Sequence, residues 1–206
     1  MAVDFIHRFV PATTPEMPTL LALHGTGGDE NDLIPLAKMI SPASAVLSPR
    51  GRVLEQGMPR FFRRLAEGVF DLDDLHVRTG ELADFITESA ARYKFDPSRV
   101  VAVGYSNGAN IAGSVMLSRP GVLAGGILLR PMVPFEPQTL PDLRGTHVLL
   151  SAGRHDPLIP PPSTERLRDL LERSKADVTL AWHETGHSLL PHEMEQAARW
   201  FGQHFP

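Results

Sequence analysis

Gly104-Tyr105-Ser106-Asn107-Gly108 follows the apolar run Val100-Val101-Ala102-Val103 and precedes Ala109-Asn110-Ile111-Ala112-Gly113. A serine between two such glycines, set between a strand and a helix, has the pattern of a nucleophile elbow. The glycines remove Cβ atoms that would collide in so tight a turn. The helix that follows would aim its first N–H groups at negative charge developing beside Ser106. The chemistry on offer is attack on a carbonyl carbon. It needs company, because a serine hydroxyl is a poor nucleophile without a base and an acid to orient that base.

In strand–helix hydrolases those partners follow the serine in the order Asp or Glu, then His, each on a loop after a strand. The run 146–152 leads into Gly153-Arg154-His155-Asp156-Pro157, and the run 178–183 leads into Glu184-Thr185-Gly186-His187-Ser188. Both candidates therefore fall at the carboxyl end of a strand, the edge where open α/β sheets keep their sites. Alone, Asp156-Pro157 reads as a turn starter and His187 as a surface or capping histidine. In this order they read as orienter and general base. Asn107, next after the serine, would give one backbone N–H to an oxyanion. Leu23-His24-Gly25-Thr26-Gly27-Gly28-Asp29 would bring the second, from Thr26, on a glycine-rich turn. A phosphate cradle is the other use of such a loop, but neither Gly-Lys-Ser/Thr nor G-x-G-x-x-G spacing is present.

His183-Glu184-Thr185-Gly186-His187 also matches H-E-x-x-H, with His192 or Glu195 available as a third zinc ligand. That motif works on a helix, where residues four apart share a face. Here Val178-Thr179-Leu180-Ala181-Trp182 reads as strand and Thr185-Gly186 is a poor helix interior. The expectation is no metal and no cofactor.

The elements that must hold these residues are short apolar runs alternating with longer amphipathic segments, the pattern of a parallel sheet flanked by helices. Strands are expected at 3–9, 18–23, 44–48, 99–104, 125–129, 146–152 and 178–183. Helices are expected at 30–40, 73–93, 106–118, 162–174 and 191–204. Start signals are Asp29, Asp73-Asp74 and Pro161-Pro162. Residues 49–72 show no clear periodicity, and loops of that length are usually functional or mobile. No repeat or linker divides residues 1–206, so a single domain is expected.

The chain has 206 residues, 42% hydrophobic and 21% charged, with a net charge of −4 and no cysteine. Disulfides, thiol nucleophiles and cysteine metal ligands are excluded together. The acidic balance gives no reason to expect nucleic acid or an anionic membrane as partner. No secretory signal opens the chain and no apolar stretch approaches a membrane span. A cytoplasmic enzyme, monomer or homodimer, with a small-molecule ester as partner, is the expectation.

Together the early loop, the elbow, Gly153–Pro157 and Gly186-His187-Ser188 resemble the phospholipase/carboxylesterase family of α/β-hydrolases, over nearly the whole chain. The resemblance implies an α/β-hydrolase fold, a mostly parallel sheet of about seven strands with helices on both faces and minimal or no lid. It implies a Ser106–Asp156–His187 triad, a Thr26/Asn107 oxyanion hole and hydrolysis of carboxylic esters or thioesters. The acyl-protein thioesterase branch has Gly-Phe-Ser-Gln-Gly-Gly and His-Gly-Leu-Gly-Asp where this chain has Ser106-Asn107-Gly108-Ala109-Asn110 and Thr26-Gly27-Gly28. With Arg60–Arg64 and Arg130–Pro134, these make it more similar to the bacterial branch of methylhydroquinone-inducible hydrolases. That favours a short-acyl or small aromatic ester, a thioesterase or lysophospholipase-like acyl hydrolase being the alternative.

Apolar residues beside the proposed catalytic loops are candidate pocket walls: Phe62, Met132, Val133, Phe135, Leu158, Ile159 and Leu189. Met58-Pro59-Arg60-Phe61-Phe62-Arg63-Arg64 could be a rim that steers an anionic substrate, or a solvated loop anchored by its phenylalanines. A different class of function, ligand binding on a hydrolase fold without turnover, would make no use of all three triad residues.

Overall fold

The computed structural model describes residues 4–206. Seven strands form one sheet: β1 (His7–Val10), β2 (Thr19–Leu23), β3 (Val46–Pro49), β8 (Val100–Tyr105), β9 (Gly125–Leu129), β10 (His147–Gly153) and β11 (Asp177–His183). Their order is β1-β3-β2-β8-β9-β10-β11. Only the β1–β3 pairing is antiparallel. Between β3 and the second helix lie two small ribbons, β4 (Val53–Glu55) with β5 (Met58–Arg60), and β6 (Arg64–Ala66) with β7 (Val69–Phe70). The helices are α1 (Ile34–Ile40), α2 (Leu72–Tyr93), α3 (Asn107–Ser118), α4 (Pro161–Arg173) and α5 (Pro191–His204).

The continuously apolar central strands follow from helices covering both sheet faces. Successive side chains point to opposite faces. Leu21, Leu23, Ala102, Leu128 and Leu150 therefore pack with α2, α3 and α4, through Leu75, Leu82, Ala112 and Leu167. Leu20, Ala22, Val101, Val103, Ile127 and Leu149 pack on the other side with α1 and α5, through Ala37, Ile40, Met194 and Trp200. Helix α3 runs buried from Asn107 to Leu117. Its small residues let it lie against both the sheet and α2, where Thr79 and Ser114 share a 2.6 Å hydroxyl hydrogen bond.

Several expected boundaries move, each for a local reason. Of the expected 3–9 strand, Val3 lies outside the described residues and pairing begins only at His7. The expected 30–40 helix is confined to Ile34–Ile40, with Pro35 in its first turn. A proline fits only there, because deeper in the helix it lacks the N–H and collides with the preceding turn. Asp29 consequently caps no helix; its Oδ1 accepts the Asn31 N–H at 2.7 Å. Helix α2 is capped by Asp71, which accepts from the Asp74 N–H at 3.1 Å, with Asp73 and Asp74 inside the first turn. Residues 49–72 form the two ribbons instead of an irregular loop. Among the described residues, no helix is long and apolar enough to cross a membrane.

Candidate active site

Strand β8 ends at Tyr105, α3 begins at Asn107, and Ser106 makes the turn between them with φ 53° and ψ −112°. A non-glycine residue on that side of φ is strained and persists only where its surroundings over-determine it. The flanking glycines show how. A Cβ on Gly104 would lie 2.6 Å from the Gly108 carbonyl oxygen, and one on Gly108 would lie 2.0 Å from that of Leu23. The Ser106 N–H is itself tied to the Leu129 carbonyl at 2.9 Å.

From this turn the Ser106 Oγ lies 3.0 Å from His187 Nε2, and His187 Nδ1 lies 2.7 Å from Asp156 Oδ2. The geometry fits an imidazole whose Nδ1–H donates to the carboxylate while Nε2 accepts the serine proton. Asp156 is almost wholly enclosed, and its other oxygen accepts the Leu158 and Ile159 N–H groups at 2.9 and 3.2 Å. All three residues stand at carboxyl ends of β8, β10 and β11. The Thr26 and Asn107 backbone N–H groups have no protein acceptor among the described residues, and both residues border one cavity with Ser106 and His187. Such a pair is what an incoming oxyanion requires. The five residues of the H-E-x-x-H match diverge instead: His183 closes β11 and meets His192 at 3.3 Å, while Glu184 faces Arg154 and His155.

Two asparagines fasten neighbouring segments to the elbow. Asn107 Oδ1 accepts the Phe61 N–H at 2.7 Å, and Asn110 Oδ1 accepts the Met132 N–H at 2.9 Å. Behind His187 lies a buried ion pair. Arg130, directly after β9 and wholly enclosed, meets Glu193 of α5 through Nη1 and Nη2 at 2.8 and 2.6 Å. Its guanidinium also donates to the carbonyls of Gly186 (3.1 Å) and Ser188 (2.7 Å), the residues on either side of His187. Burial pushes Glu193 up. The donors Arg130, Ser151 Oγ and the Leu190 N–H outweigh it and hold the carboxyl below its ordinary value. Sequence reasoning used Arg130 only as a branch marker; its one local signal is an arginine closing an apolar strand.

The cavity in front of Ser106 measures about 360 Å³. Of the candidate walls, Met132, Leu158 and Ile159 line it. Phe62 does not: it is fully buried and set edge-on against Phe70, at 4.9 Å between centroids, so Phe70 supplies the exposed surface. Val133 and Phe135 pack against the core on the α2 side, Phe135 with its ring on His76, and Leu189 packs on the opposite face of the sheet. All three are partly buried against the core, which removes apolar surface from water, and none of them lines this cavity. Of the Met58–Arg64 segment, read as either a rim or a solvated loop, Arg60 and Arg64 do border the cavity; the walls that sequence reasoning missed include Phe70, Tyr105 and Asn110.

His24, at the start of the loop that carries Thr26, is buried, and burial pushes its pKa below 6.5. Its Nε2 accepts the Gly51 N–H at 2.9 Å while Nδ1 faces the Gly25 carbonyl at 2.6 Å, an arrangement for the neutral ring only. Burial likewise lowers His183. With folded pKa values depressed, the unfolded chain binds more protons, so stability present above 6.5 is lost as pH falls below it. The slope is at most about 1.4 kcal/mol per pH unit for each histidine. Carboxylates held low, such as Glu30 and Glu55, contribute losses only from about 4.5 down. Urea unfolding between pH 7.5 and 5.5 should show the decline, and His24→Gln, which keeps an acceptor and a donor without titrating, should make it shallower, leaving the share of His183. A level wild-type profile would contradict this account.

The chain matches the sequence model of the phospholipase/carboxylesterase family over residues 6–204. It is 52% identical to MhqD of Bacillus subtilis (strain 168), named as a hydrolase, over 88% of this chain and 91% of that one. Among solved structures, the Bacillus cereus carboxylesterase superposes with a TM-score of 0.96 at 48% identity, covering 98% of this chain and 95% of the other. Atu2452 of Agrobacterium tumefaciens str. C58, a protein of unknown function, superposes at 0.89 with 36% identity and 97% of each chain covered.

Proposed function

This chain belongs to the phospholipase/carboxylesterase family and is an esterase-type hydrolase, and we propose that it cleaves small carboxylic esters through Ser106, His187 and Asp156. The observation that carries the proposal is the unbroken hydrogen-bonded line from Ser106 Oγ through His187 to Asp156, at a strained turn facing two free N–H groups.

In this reading Ser106 Oγ attacks the ester carbonyl while His187 Nε2 takes its proton. The carbonyl oxygen becomes an oxyanion between the Thr26 and Asn107 N–H groups, where fixed dipoles stabilise charge that the ground state lacks. Asp156 holds the imidazole in place and stabilises the imidazolium. As the tetrahedral intermediate collapses, His187 returns the proton to the departing alcohol. Water then repeats the sequence on the acyl-enzyme, and the acid leaves. The modest cavity, with Met132, Leu158 and Ile159 on its wall, supports short-acyl or small aromatic groups over long acyl chains.

A fluorophosphonate separates this reading from ligand binding without turnover. The reagent should label one residue stoichiometrically, Ser106 by peptide mass spectrometry, and His187→Ala should slow labelling severely. An unlabelled serine would leave a binding protein on the hydrolase fold.

A further inference from the structure

The segment Met58–Arg64 carries three arginines, and the structure treats them differently. Arg63 is solvated beside Asp71, whereas the Arg60 side chain is only 4% exposed. Arginine is almost never so buried unless its charge is met. Arg60 Nη1 donates to Thr26 Oγ1 at 2.7 Å and Nε donates to the Phe62 carbonyl at 3.2 Å, both neutral acceptors. Its one anionic neighbour among the described residues is Glu55, at 3.4 Å. That carboxylate is already held by Arg64 through Nε and Nη2, at 2.9 and 2.7 Å. One carboxylate thus serves two guanidinium groups.

Both arginines border the cavity that contains Ser106. The acid that does line this cavity, Glu67, is exposed in the β6–β7 turn, where water screens it. Burial opposes the Arg60 charge, yet a guanidinium does not release its proton at any ordinary pH. The result is a desolvated cation, short of counter-charge, bordering the same cavity as the nucleophile, where the apolar Phe70, Met132, Leu158 and Ile159 stand beside polar groups such as Tyr105 and Asn110. Such a group gains from an anion more than a hydrated surface arginine does, and its planar fork suits a carboxylate.

We propose that Arg60, together with Arg64, forms an anion-recognition subsite, and that the favoured substrates are small esters bearing a carboxylate on the acyl or the alcohol part. This rests on the hydrolase reading above and narrows its substrate class. Arg60 binds and orients; it takes no part in proton transfer.

The test compares esters that differ only by a terminal carboxylate: ethyl hydrogen succinate against ethyl butyrate for the acyl side, and acetoxyacetate against ethyl acetate for the alcohol side. Rates are followed in a pH-stat. In at least one pair the charged ester should have a kcat/KM higher by about 10- to 100-fold. Arg60→Met should collapse that ratio toward one, chiefly through KM of the charged ester. Glu55→Gln, which leaves Arg60 and its bond to Thr26 in place, should raise the ratio; a purely structural Arg60 would leave it unmoved. Neutral esters equal or better in both pairs, or a ratio indifferent to both substitutions, would overturn the subsite. Fluorophosphonate labelling of Ser106 in the same preparation keeps the two failures apart, since the hydrolase reading falls only if labelling is also lost.

Discussion

Ser106→Ala is expected to lower kcat/KM for p-nitrophenyl acetate by about 10⁴- to 10⁶-fold, the range seen when a triad nucleophile is removed. The proposed oxyanion donors, the Thr26 and Asn107 N–H groups, remain, so a small rate above the background should survive. The fold should survive too, because the Ser106 Oγ has one partner, His187, and its loss leaves no buried group unsatisfied. Near-wild-type turnover by the alanine variant would remove the central claim. A companion variant tests the strain at the same atom. Ser106 holds φ at 53°, where a Cβ is costly and glycine is free. Ser106→Gly should therefore be as inactive as Ser106→Ala yet unfold at a higher temperature, by an amount corresponding to about 1 kcal/mol or more. If the two variants melt together, the turn holds no strain of this kind.

That turn is also where the sequence was most legible. Gly104 and Gly108 are dictated by close approach to the backbone, and the need can be seen without coordinates because no other residue meets it. The central strands were legible for a related reason. Val100–Val103 are buried on both faces, so their apolar run is continuous, and a run of that length after a helix admits few other readings. The ribbons were not. Strands of two or three residues carry no period, and their only local marks are Gln56-Gly57 and Gly68, whose positive φ values form the hairpin turns. Without them the Met58–Arg64 segment could be read as a rim or as a solvated loop, and nothing local told Arg60 and Arg64, which border the cavity, from Arg63, which is solvated. Met132 and Leu158 could be nominated from their place beside catalytic loops, but so could Val133 and Leu189. Which way a loop residue points is decided by the layers it packs on, and adjacent residues point oppositely. Arg130 was invisible in its role for a similar reason: its partner lies 63 residues away, on a helix that only the fold brings near.

The Arg130–Glu193 pair yields the largest expected effect on stability. Neither side chain touches solvent, and between them they satisfy Ser151 Oγ, the Leu190 N–H and the carbonyls on both sides of His187. Removing one partner leaves an uncompensated charge in the interior, which typically costs 3–5 kcal/mol. Arg130→Met or Glu193→Gln should therefore lower the melting temperature by about 6–20 °C for a chain of this length. The double variant Arg130→Met/Glu193→Leu discriminates between two roles of the pair. Replacing both charges with apolar groups removes the desolvation penalty along with the attraction, and such swaps are often close to neutral for stability. Much of the lost melting temperature should return. Activity should not return with it, because methionine cannot donate to Gly186 and Ser188, and the segment carrying His187 loses its tether. The remaining defect should appear in kcat, since geometry at the base matters to the transition state more than to binding. A double variant that recovers stability and kcat together would show that the pair holds the core alone, with His187 positioned by Asp156 and its own strand.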